Sequence, residues 1–569
     1  MKRNNFLIFK FYNFYIVAAL LLTSCNDFLD VLPLNDVVLE NYWTKESDAT
    51  SVLMGCYESL QSEDCVTRMG LWGEARSDNM KKGTTSSQDI EQLMKENILP
   101  TNNFCNWTSF YQTINRCNIL IHYAPQVQEL DPNYMLPEMK ANIAEATFIR
   151  SLCYFYLIRT FRDVPYSVKP SIDDTEEYRV PADSFDVVLN NLITDMEAVK
   201  DDAQLYFCKP KPNESSRDEF QNSARVTRPA MYALLADLYL WKGDWDKCVA
   251  CCDYVIQFKQ DEYDKLLKRR MQNEILLFND IPLLLEKIDN KSGNAYTAIF
   301  GQSGHSFESL FEIDYDASRN SDNTNKYIRN YFYYKGKQTQ SNGIMAAVDE
   351  LYKGLPSKDS ELFNTKDCRP YESIFEAGTD NYLIAKYGAS KVSIDNSKSK
   401  ISPDFTWRSD EYAHWVVYRL TDVMLMKAEA LVQQGSDHFQ EAFDLVNAVN
   451  RRAVNSLAPG TGEVLKFSSF SGSQESMEKL VMDERQRELL FEGKRWFDLV
   501  RDARRKGSNK ELGKIVTKKQ KTNISGIQIR LADPNALYLP YFRNELRVNP
   551  YLKQNPAYNT GGDSDLEKN

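Results

Sequence analysis

Apolar residues recur at helical spacing through much of the chain. One stripe, at intervals of four, four and three residues, is formed by Ala144, Phe148, Leu152 and Phe155. A similar stripe runs from Phe185 to Met196. Residues at these intervals share one face of a helix. The pattern predicts a mainly α-helical protein.

Two segments predict helical hairpins. In the first, apolar stripes flank the turn Lys242-Gly243-Asp244, and small residues such as Ala236 and Ala250 stand where two helices would touch. In the second, the stripes flank Gly435. This pattern is similar to a tetratricopeptide (TPR) hairpin of about 34 residues. We therefore expect TPR-like hairpins that form a superhelical scaffold.

A charged segment from about Glu475 to Arg504 predicts one long helix. Glu484, Glu488 and Glu492 are four residues apart and would share a face. Paired carboxylates suit glycosidase chemistry only when they flank a substrate in a cleft. Arg487 and Arg495 stand at helical spacing from these acids. We therefore interpret the segment as a structural ion-pair network.

The segment from about 260 to 410 has a different composition, rich in Asn, Asp, Ser, Gly and Tyr. It predicts a loop-rich insertion with short strands, such as one at Leu310–Ile313, on a scaffold of about 25–260 and 410–569. The run Tyr327–Lys335 places five aromatic residues among polar ones. Loops on a rigid scaffold commonly carry ligand groups.

The net charge and the motifs that the sequence lacks argue against several classes of function. The formal net charge of −11 argues against a nucleic-acid binder. The sequence contains no phosphate-binding loop, no H-E-x-x-H and no G-x-S-x-G motif. Four histidines, His122, His305, His414 and His438, lack metal-ligand spacing. We therefore expect no enzyme activity, no cofactor and no metal.

Two weaker motifs have structural interpretations. Cys248 and Cys251 form a C-x-x-C on a predicted helix, where core packing is favoured over redox or zinc chemistry. Eleven cysteines permit disulfides in an oxidising compartment, but their pairing stays open. An acidic group could hold calcium but lacks the twelfth-position Glu of an EF-hand; its members are Asp314, Asp316, Asn320 and Asp322.

The N-terminus predicts a lipoprotein. Residues 1–24 carry three basic residues and an apolar run from Phe14 to Leu22, too short to span a membrane. The run leads to Leu22-Thr23-Ser24-Cys25, which resembles a lipobox with Cys25 as the lipidated residue. Several acyl chains on one residue give firm membrane anchoring. We expect a signal peptide at 1–24 and a single domain at 25–569.

Several motifs together resemble one family. They are the lipobox, LWGEARSDN at 71–79, the helix from Trp107 to Asn118, the block 144–165 ending in F-R-D-V-P, DERQRELLFEGKRWFDLVR at 483–501, and the tail 539–558. The set resembles the SusD/RagB family of Bacteroidota outer-membrane lipoproteins. Arg162 stands where that family usually has Gly. The resemblance covers nearly the whole mature chain and is weakest between about 260 and 410.

The resemblance implies a function in nutrient uptake at the cell surface. Such a protein would be anchored in the outer membrane, bind an oligosaccharide or polysaccharide, and act as the lid of a SusC-like TonB-dependent transporter. One alternative is a peptide-capturing lid of the RagB type. A third possibility, from a different class, is a tethered glycoside hydrolase.

The resemblance also implies that two surfaces face each other across the ligand. One is the early loop region, with Trp72, Asp78, Asn79, Asn103 and Phe104. The other is the insertion, with Tyr296, Tyr327, Tyr331, Tyr333, Tyr334 and Trp407. Tyr331 is the leading candidate because it shares a face with Tyr333 in a strand and with Tyr327 in a helix. Trp107 and Tyr111 are expected in the core.

Overall fold

The computed structural model describes residues 42–559, except 173–178, 302–303, 317, 319–322, 336–339, 356, 379–380, 396–400 and 455–464. The expected signal peptide and Cys25 lie outside the described residues and remain predictions.

The protein is mainly α-helical, as predicted. Its described helices are α1 Glu46–Leu60, α2 Glu63–Glu74, α3 Gln88–Met94, α4 Thr108–Leu130, α5 Leu136–Phe161, α6 Phe185–Val199, α7 Gln221–Ala224, α8 Arg228–Lys242, α9 Trp245–Glu262, α10 Lys268–Met271, α11 Asn294–Phe300, α12 Lys326–Tyr331, α13 Arg369–Ser373, α14 Leu420–Gln434, α15 Phe439–Val454, α16 Gln474–Glu488, α17 Arg495–Lys506, α18 Lys510–Thr517, α19 Ile524–Leu531 and α20 Arg543–Val548.

The strands are short and pair antiparallel. They are β1 Met80–Lys82, β2 Ile275–Phe278, β3 Ile281–Leu284, β4 Lys287–Ile288, β5 Lys291–Ser292, β6 Ser309–Ile313, β7 Tyr334–Lys335, β8 Gln340–Ser341, β9 Met345–Ala347, β10 Ile374–Glu376, β11 Tyr382–Ile384, β12 Ala389–Asp395, β13 Pro403–Trp407 and β14 Trp415–Arg419. One sheet has the order β13-β12-β5-β4, and the others are pairs. The strand predicted at Leu310–Ile313 is confirmed within β6.

The two predicted hairpins are confirmed. Gly243, at φ +77°, ends α8 in the left-handed conformation that glycine adopts without strain, and the Asp244 side chain accepts a hydrogen bond from the Lys247 N–H to cap α9. Gly435, at φ +115°, separates α14 from α15. Helices α9 and α14 pack together. The two hairpins therefore stack although they are far apart in sequence.

Helix α5 lies at the centre of the helical frame. Every residue from Ala144 to Phe161 is buried, because α4 and α6 pack against it and one hydrophobic core surrounds it. The apolar stripe predicted at 144–155 therefore lies in the part of α5 that is buried on all sides. Among the described residues, no helix combines the length and the apolar character needed to cross a membrane.

The prediction of a single long helix at 475–504 is wrong. The helix is interrupted between α16 and α17, where Phe491 and Gly493 adopt φ of +64° and +72°. The break lets the Gly493 backbone contact α2, since a Cβ on Gly73 would lie 1.7 Å from the Gly493 carbonyl oxygen. Glu492 therefore lies in a turn and not on the helix face of Glu484 and Glu488.

The predicted ion-pair network is confirmed: the expected pair of Arg487 with Glu484 forms at 2.8 Å, and further partners come from outside this segment. Arg419 pairs with Glu488 and Glu492, each at 2.7 Å, from the strand that leaves the insertion. Arg369 pairs with Glu484 at 2.8 Å. All of these side chains except Arg487 are buried. These acids hold the insertion and the scaffold together.

The C-x-x-C cysteines are core residues, as expected. Cys248 and Cys251 lie on α9 as buried, free thiols. Burial raises the pKa of Cys251 to about 12, so its thiol is protonated and unreactive at neutral pH.

Candidate functional site

Trp72, predicted to contact ligand, lies in the core. It is 3 % exposed, stacks on Phe110 with ring centroids 4.8 Å apart, and donates its indole N–H to the Phe104 carbonyl at 2.8 Å. The ring presents no open face for a ligand. Its role is to hold the Phe104 loop against α2. Trp107 is buried as expected, and Tyr111 packs against the core with partial burial.

Asp78 and Asn79 are also structural. Arg495 pairs with Asp78 at 2.9 Å and not with Glu492. Asn79 is fully buried, donates to Glu74 at 2.5 Å and accepts a hydrogen bond from Gln486 at 2.8 Å. Their polar groups are therefore used within the fold, where they join α2 to the α16–α17 corner.

Four of the five predicted insertion tyrosines are buried, Tyr333 at 6 % exposed and three others more deeply. Tyr296 donates its hydroxyl to the Ala385 carbonyl at 3.2 Å, and Tyr334 donates to the Asp410 carbonyl at 3.0 Å. Tyr327 packs edge-on against Trp415. Each is 3 % exposed or less. Burial removes all three from the set of ligand contacts.

Tyr331 remains accessible. It is partly exposed at the end of α12, where the helix places its ring 5.2 Å from that of Tyr327. Burial, and then the nearby Glu63, raise the pKa of its hydroxyl to about 12, while Arg68 opposes this shift. Tyr331 therefore lies near charged groups of α2, among them Glu63 and Arg68.

Asn103 and Phe104 lie on the loop that adjoins these charged groups. Asn103 is exposed and donates its amide to the Asp89 carboxylate at 2.9 Å, while Phe104 is partly exposed. Arg68 donates to the Asn103 carbonyl at 3.0 Å and fixes the loop. We call the group formed by Arg68, Asp89, Asn103, Phe104 and Tyr331 the Tyr331 surface.

A second accessible group contains Trp407. The aromatic platform, defined as Tyr333, Phe375, Phe405 and Trp407, is built by β10, β13 and the segment before β7. Phe405 and Trp407 stack with centroids 4.9 Å apart and planes 14° apart. Tyr333 meets Trp407 edge-on at 4.5 Å, and Phe375 meets it at 5.2 Å.

The platform rings are only partly buried, except for Tyr333, which is 6 % exposed. Alternation along β13 puts Phe405 and Trp407 on one face of the strand. The exposed carboxylates of Glu376 and Asp404 stand one position away and so point to the opposite faces of β10 and β13. The open aromatic surface is suited to the apolar face of a ligand.

Phe375 and Phe405 belong to the platform but are not among the residues predicted from the sequence. Phe405-Thr406-Trp407 carries the alternation of a strand, and that signal was sufficient to place Phe405 beside Trp407. Phe375 carried no comparable signal, because it reaches the platform from a different strand. Of the calcium candidates, Asn320 and Asp322 lie outside the described residues, and Asp314 is within hydrogen-bond distance of two imidazoles.

Two family models match the chain. The model described as "SusD family" matches residues 307–558, and the model described as "Starch-binding associating with outer membrane" matches residues 27–240. The chain belongs to the SusD/RagB family. The family predicted from the motifs is therefore confirmed by matches in both the N-terminal and the C-terminal parts of the chain.

Relatives of this SusD/RagB chain align over nearly its full length. SusD-like protein P38 of Formosa agariphila is 25 % identical, over 96 % of this chain and 100 % of that protein. SusD-like protein P2 of the same organism is 24 % identical, over 86 % and 89 %.

Solved structures show the same fold. A SusD superfamily protein from Bacteroides thetaiotaomicron has a TM-score of 0.64 at 18 % identity, covering 90 % of this chain and 100 % of that one. Surface glycan-binding protein A from the same species, solved in complex with laminarihexaose, has a TM-score of 0.61 at 18 % identity, with coverage of 90 % and 100 %.

Proposed function

We propose that this SusD/RagB chain is a surface glycan-binding lipoprotein that captures an oligosaccharide on its insertion. The aromatic platform is the observation that carries the proposal. Trp407 and Phe405 offer adjoining rings that are partly open to solvent and are buttressed by Tyr333.

The chemistry of sugars fits this surface. A pyranose has an apolar face of C–H groups, which loses contact with water when it lies on an aromatic ring. Its hydroxyl groups need polar partners, which fix the orientation of the ligand. Asn103 and Tyr331 supply polar groups on the Tyr331 surface. The proposed ligand contacts are therefore Trp407, Phe405, Phe375, Tyr331 and Asn103.

The proposed function is binding without catalysis. Glycoside hydrolysis requires two carboxyl groups that flank the bound sugar. Glu484, Glu488 and Glu492 are each buried and paired with arginine or lysine. Glu286 and Glu372, another close pair, are each 4 % exposed. Both sets therefore lie where a glycan has no access.

The proposed place of action is the cell surface. The proposal includes an anchor at Cys25 in the outer membrane, display at the cell surface, and a lid role on a SusC-like TonB-dependent transporter. The family model that matches residues 27–240 is described as associating with the outer membrane, which supports this location.

Glycan titration of the full chain carrying Cys25→Ala tests the proposal. A panel of oligosaccharides, with mixed peptides as a comparison, is screened by calorimetry. With a glycan that binds, Trp407→Ala should weaken binding by about 10- to 100-fold, because a buried aromatic contact contributes about 1.5–3 kcal/mol. Tyr331→Ala should weaken binding of the same glycan if the glycan contacts both the aromatic platform and the Tyr331 surface.

Trp245→Ala is the matched control. Trp245 is also partly buried, but it lies at the start of α9 on the scaffold, so binding should not change. Isotherms that are identical for wild type, Trp407→Ala and Tyr331→Ala would exclude both surfaces. Binding of peptides in place of every glycan would favour the RagB-type alternative.

A further inference from the structure

An open cavity of about 760 Å³ lies on the scaffold and shares no residue with the aromatic platform or the Tyr331 surface. Its wall is formed by the end of α5, by α17, α18 and α19, and by the segment from Pro534 to Tyr538. Sites for small molecules commonly have volumes of about 300–1,000 Å³. A Cβ on Gly507, in the wall, would meet nothing within 4 Å, so the cavity is open on this side. It is therefore large enough for a small ligand and accessible to one.

The charged residues in this wall all carry the same sign. Arg162, Arg504, Lys510 and Lys514 line the cavity, and among the described residues no acidic side chain does so. The whole chain has a formal net charge of −11, so this basic wall is unlike the average of the chain. Arginine and lysine bind carboxylate and phosphate groups, and sulfate presents the same tetrahedral set of oxygens as phosphate. The charge of the wall therefore favours an anionic ligand.

Two of these bases, Lys510 and Lys514, are available to a ligand. Lys510 is exposed and forms no ion pair with the described residues. Lys514 pairs with Glu511 at 2.6 Å, but the two side chains are 52 % and 64 % exposed. Ion pairs that are open to water are weak, so an arriving anion can compete for this lysine. Both lysines lie on α18, four residues apart, and therefore share one face of that helix.

Arg504 adds a guanidinium that its surroundings hold in place. The group lies over the Phe185 ring, 4.0 Å from the centroid, and donates to the Tyr538 hydroxyl at 2.8 Å. Its contact with Asp186 is longer, at 3.4 Å, and that carboxylate is 78 % exposed. A guanidinium has five N–H donors, so Arg504 keeps donors for a ligand. Arg162 is already held in an ion pair at 2.7 Å, and it contributes to the wall rather than to binding.

The neutral part of the wall suits hydroxyl groups and an apolar face. Asn509 donates its side-chain amide to the Leu531 carbonyl at 3.1 Å, and Gln528 donates to the Thr517 hydroxyl at 2.9 Å. Their amide oxygens accept no hydrogen bond from the described residues and can accept one from a ligand hydroxyl. Leu537 adds apolar surface. A sugar has hydroxyl donors and an apolar face of C–H groups, so an acidic sugar matches the charged, polar and apolar parts of the wall.

We propose that this cavity binds an acidic sugar, which carries a carboxylate or sulfate group beside its hydroxyl groups. Arg504, Lys510 and Lys514 bind the anionic group. The amide oxygens of Asn509 and Gln528 accept hydrogen bonds from the hydroxyl groups. Because the cavity shares no residue with the aromatic platform, it can bind an acidic sugar whether or not the platform binds a glycan.

Calorimetric titration of the full chain carrying Cys25→Ala, at low ionic strength, tests the site. The probes are an oligomer of glucuronate, a sulfated glucose oligomer, the neutral glucose oligomer of the same length, and inorganic sulfate. We expect saturable binding of one acidic oligomer or both, weakened by added salt. Arg504→Gln should weaken that binding by about tenfold or more, because it removes hydrogen bonds from a charged donor. Lys510→Ala combined with Lys514→Ala should weaken it by about tenfold. Any binding of the neutral oligomer should not change in these variants.

Lys265→Ala combined with Lys268→Ala is the matched control. These lysines are exposed and pair with acids about one helical turn away, as Lys514 does, but they do not line the cavity. Their loss should leave binding unchanged, and melting temperatures show that each variant is folded. The proposal is overturned if neither acidic oligomer binds wild type, or if inorganic sulfate binds as tightly as they do. It is also overturned if Trp407→Ala removes binding that the Lys510 and Lys514 double variant retains, since the acidic sugar then lies on the platform.

Discussion

At the scale of single residues, Arg162 shows how a side chain compensates an unfavourable backbone. It ends α5 at φ +70° and ψ −74°, a region where any Cβ is strained. Its guanidinium pairs with Asp163 at 2.7 Å and donates to the Asn535 side chain at 2.6 Å. These contacts offset the strain that Gly would avoid.

Two substitutions separate strain from contact at this position. Arg162→Ala keeps the strain and loses the contacts, so it should destabilise the protein by about 1–2 kcal/mol. Arg162→Gly loses the same contacts but relieves the strain, and it should be more stable than the Ala variant by about 1 kcal/mol. Thermal unfolding measures the difference, and equal melting temperatures for the two variants would contradict the strain argument.

At the scale of elements, sequence predicts a turn well when the turn is local. Lys242-Gly243-Asp244 combines a left-handed glycine with a capping Asp, and the hairpin forms as expected. The break between α16 and α17 has a weaker local signal, since Gly493 is left-handed but no capping side chain follows it, and Leu489, Leu490 and Phe491 continue an apolar run. That break depends on a contact with α2, which lies far away in sequence.

The contact between Gly73 and Gly493 makes this dependence testable. Gly73→Ala should lower stability by several kcal/mol, although Ala is the better helix former by about 1 kcal/mol, because the new Cβ overlaps backbone. Gly55→Ala on α1 is the matched control. Its Cβ would lie 3.8 Å from Arg116, an ordinary contact, so thermal unfolding should show unchanged or raised stability. Equal melting of the two variants would refute the close approach.

At the scale of the whole molecule, sequence predicts the frame better than the site. The family motifs and helical stripes identified the fold, because repeated apolar spacing reports directly on packing. The candidate tyrosines were harder, since Tyr296, Tyr327 and Tyr334 serve as core residues, and Tyr296 and Tyr334 each donate the hydroxyl to a backbone carbonyl. The sequence around Trp407 and Tyr331 does not distinguish them from these buried tyrosines, but both remain accessible. Only the tertiary fold separates the two groups, and only it unites His305 with His414.

The buried charges also predict how the whole molecule responds to acid. Burial alone would raise the pKa of Asp498, but Arg485 and Arg501 lower it to about 2. The unfolded value is about 3.9, so the folded state binds fewer protons between these values. The resulting stabilisation, about 2–3 kcal/mol, is present above pH 4 and is lost as the pH falls towards 2.

Asp498→Asn should be less stable than wild type at pH 7 and should lose less stability on acidification. Melting temperatures from pH 2 to 7 measure both slopes, with Asp186→Asn, 78 % exposed, as the control that follows wild type. Parallel curves for wild type and Asp498→Asn would contradict the prediction.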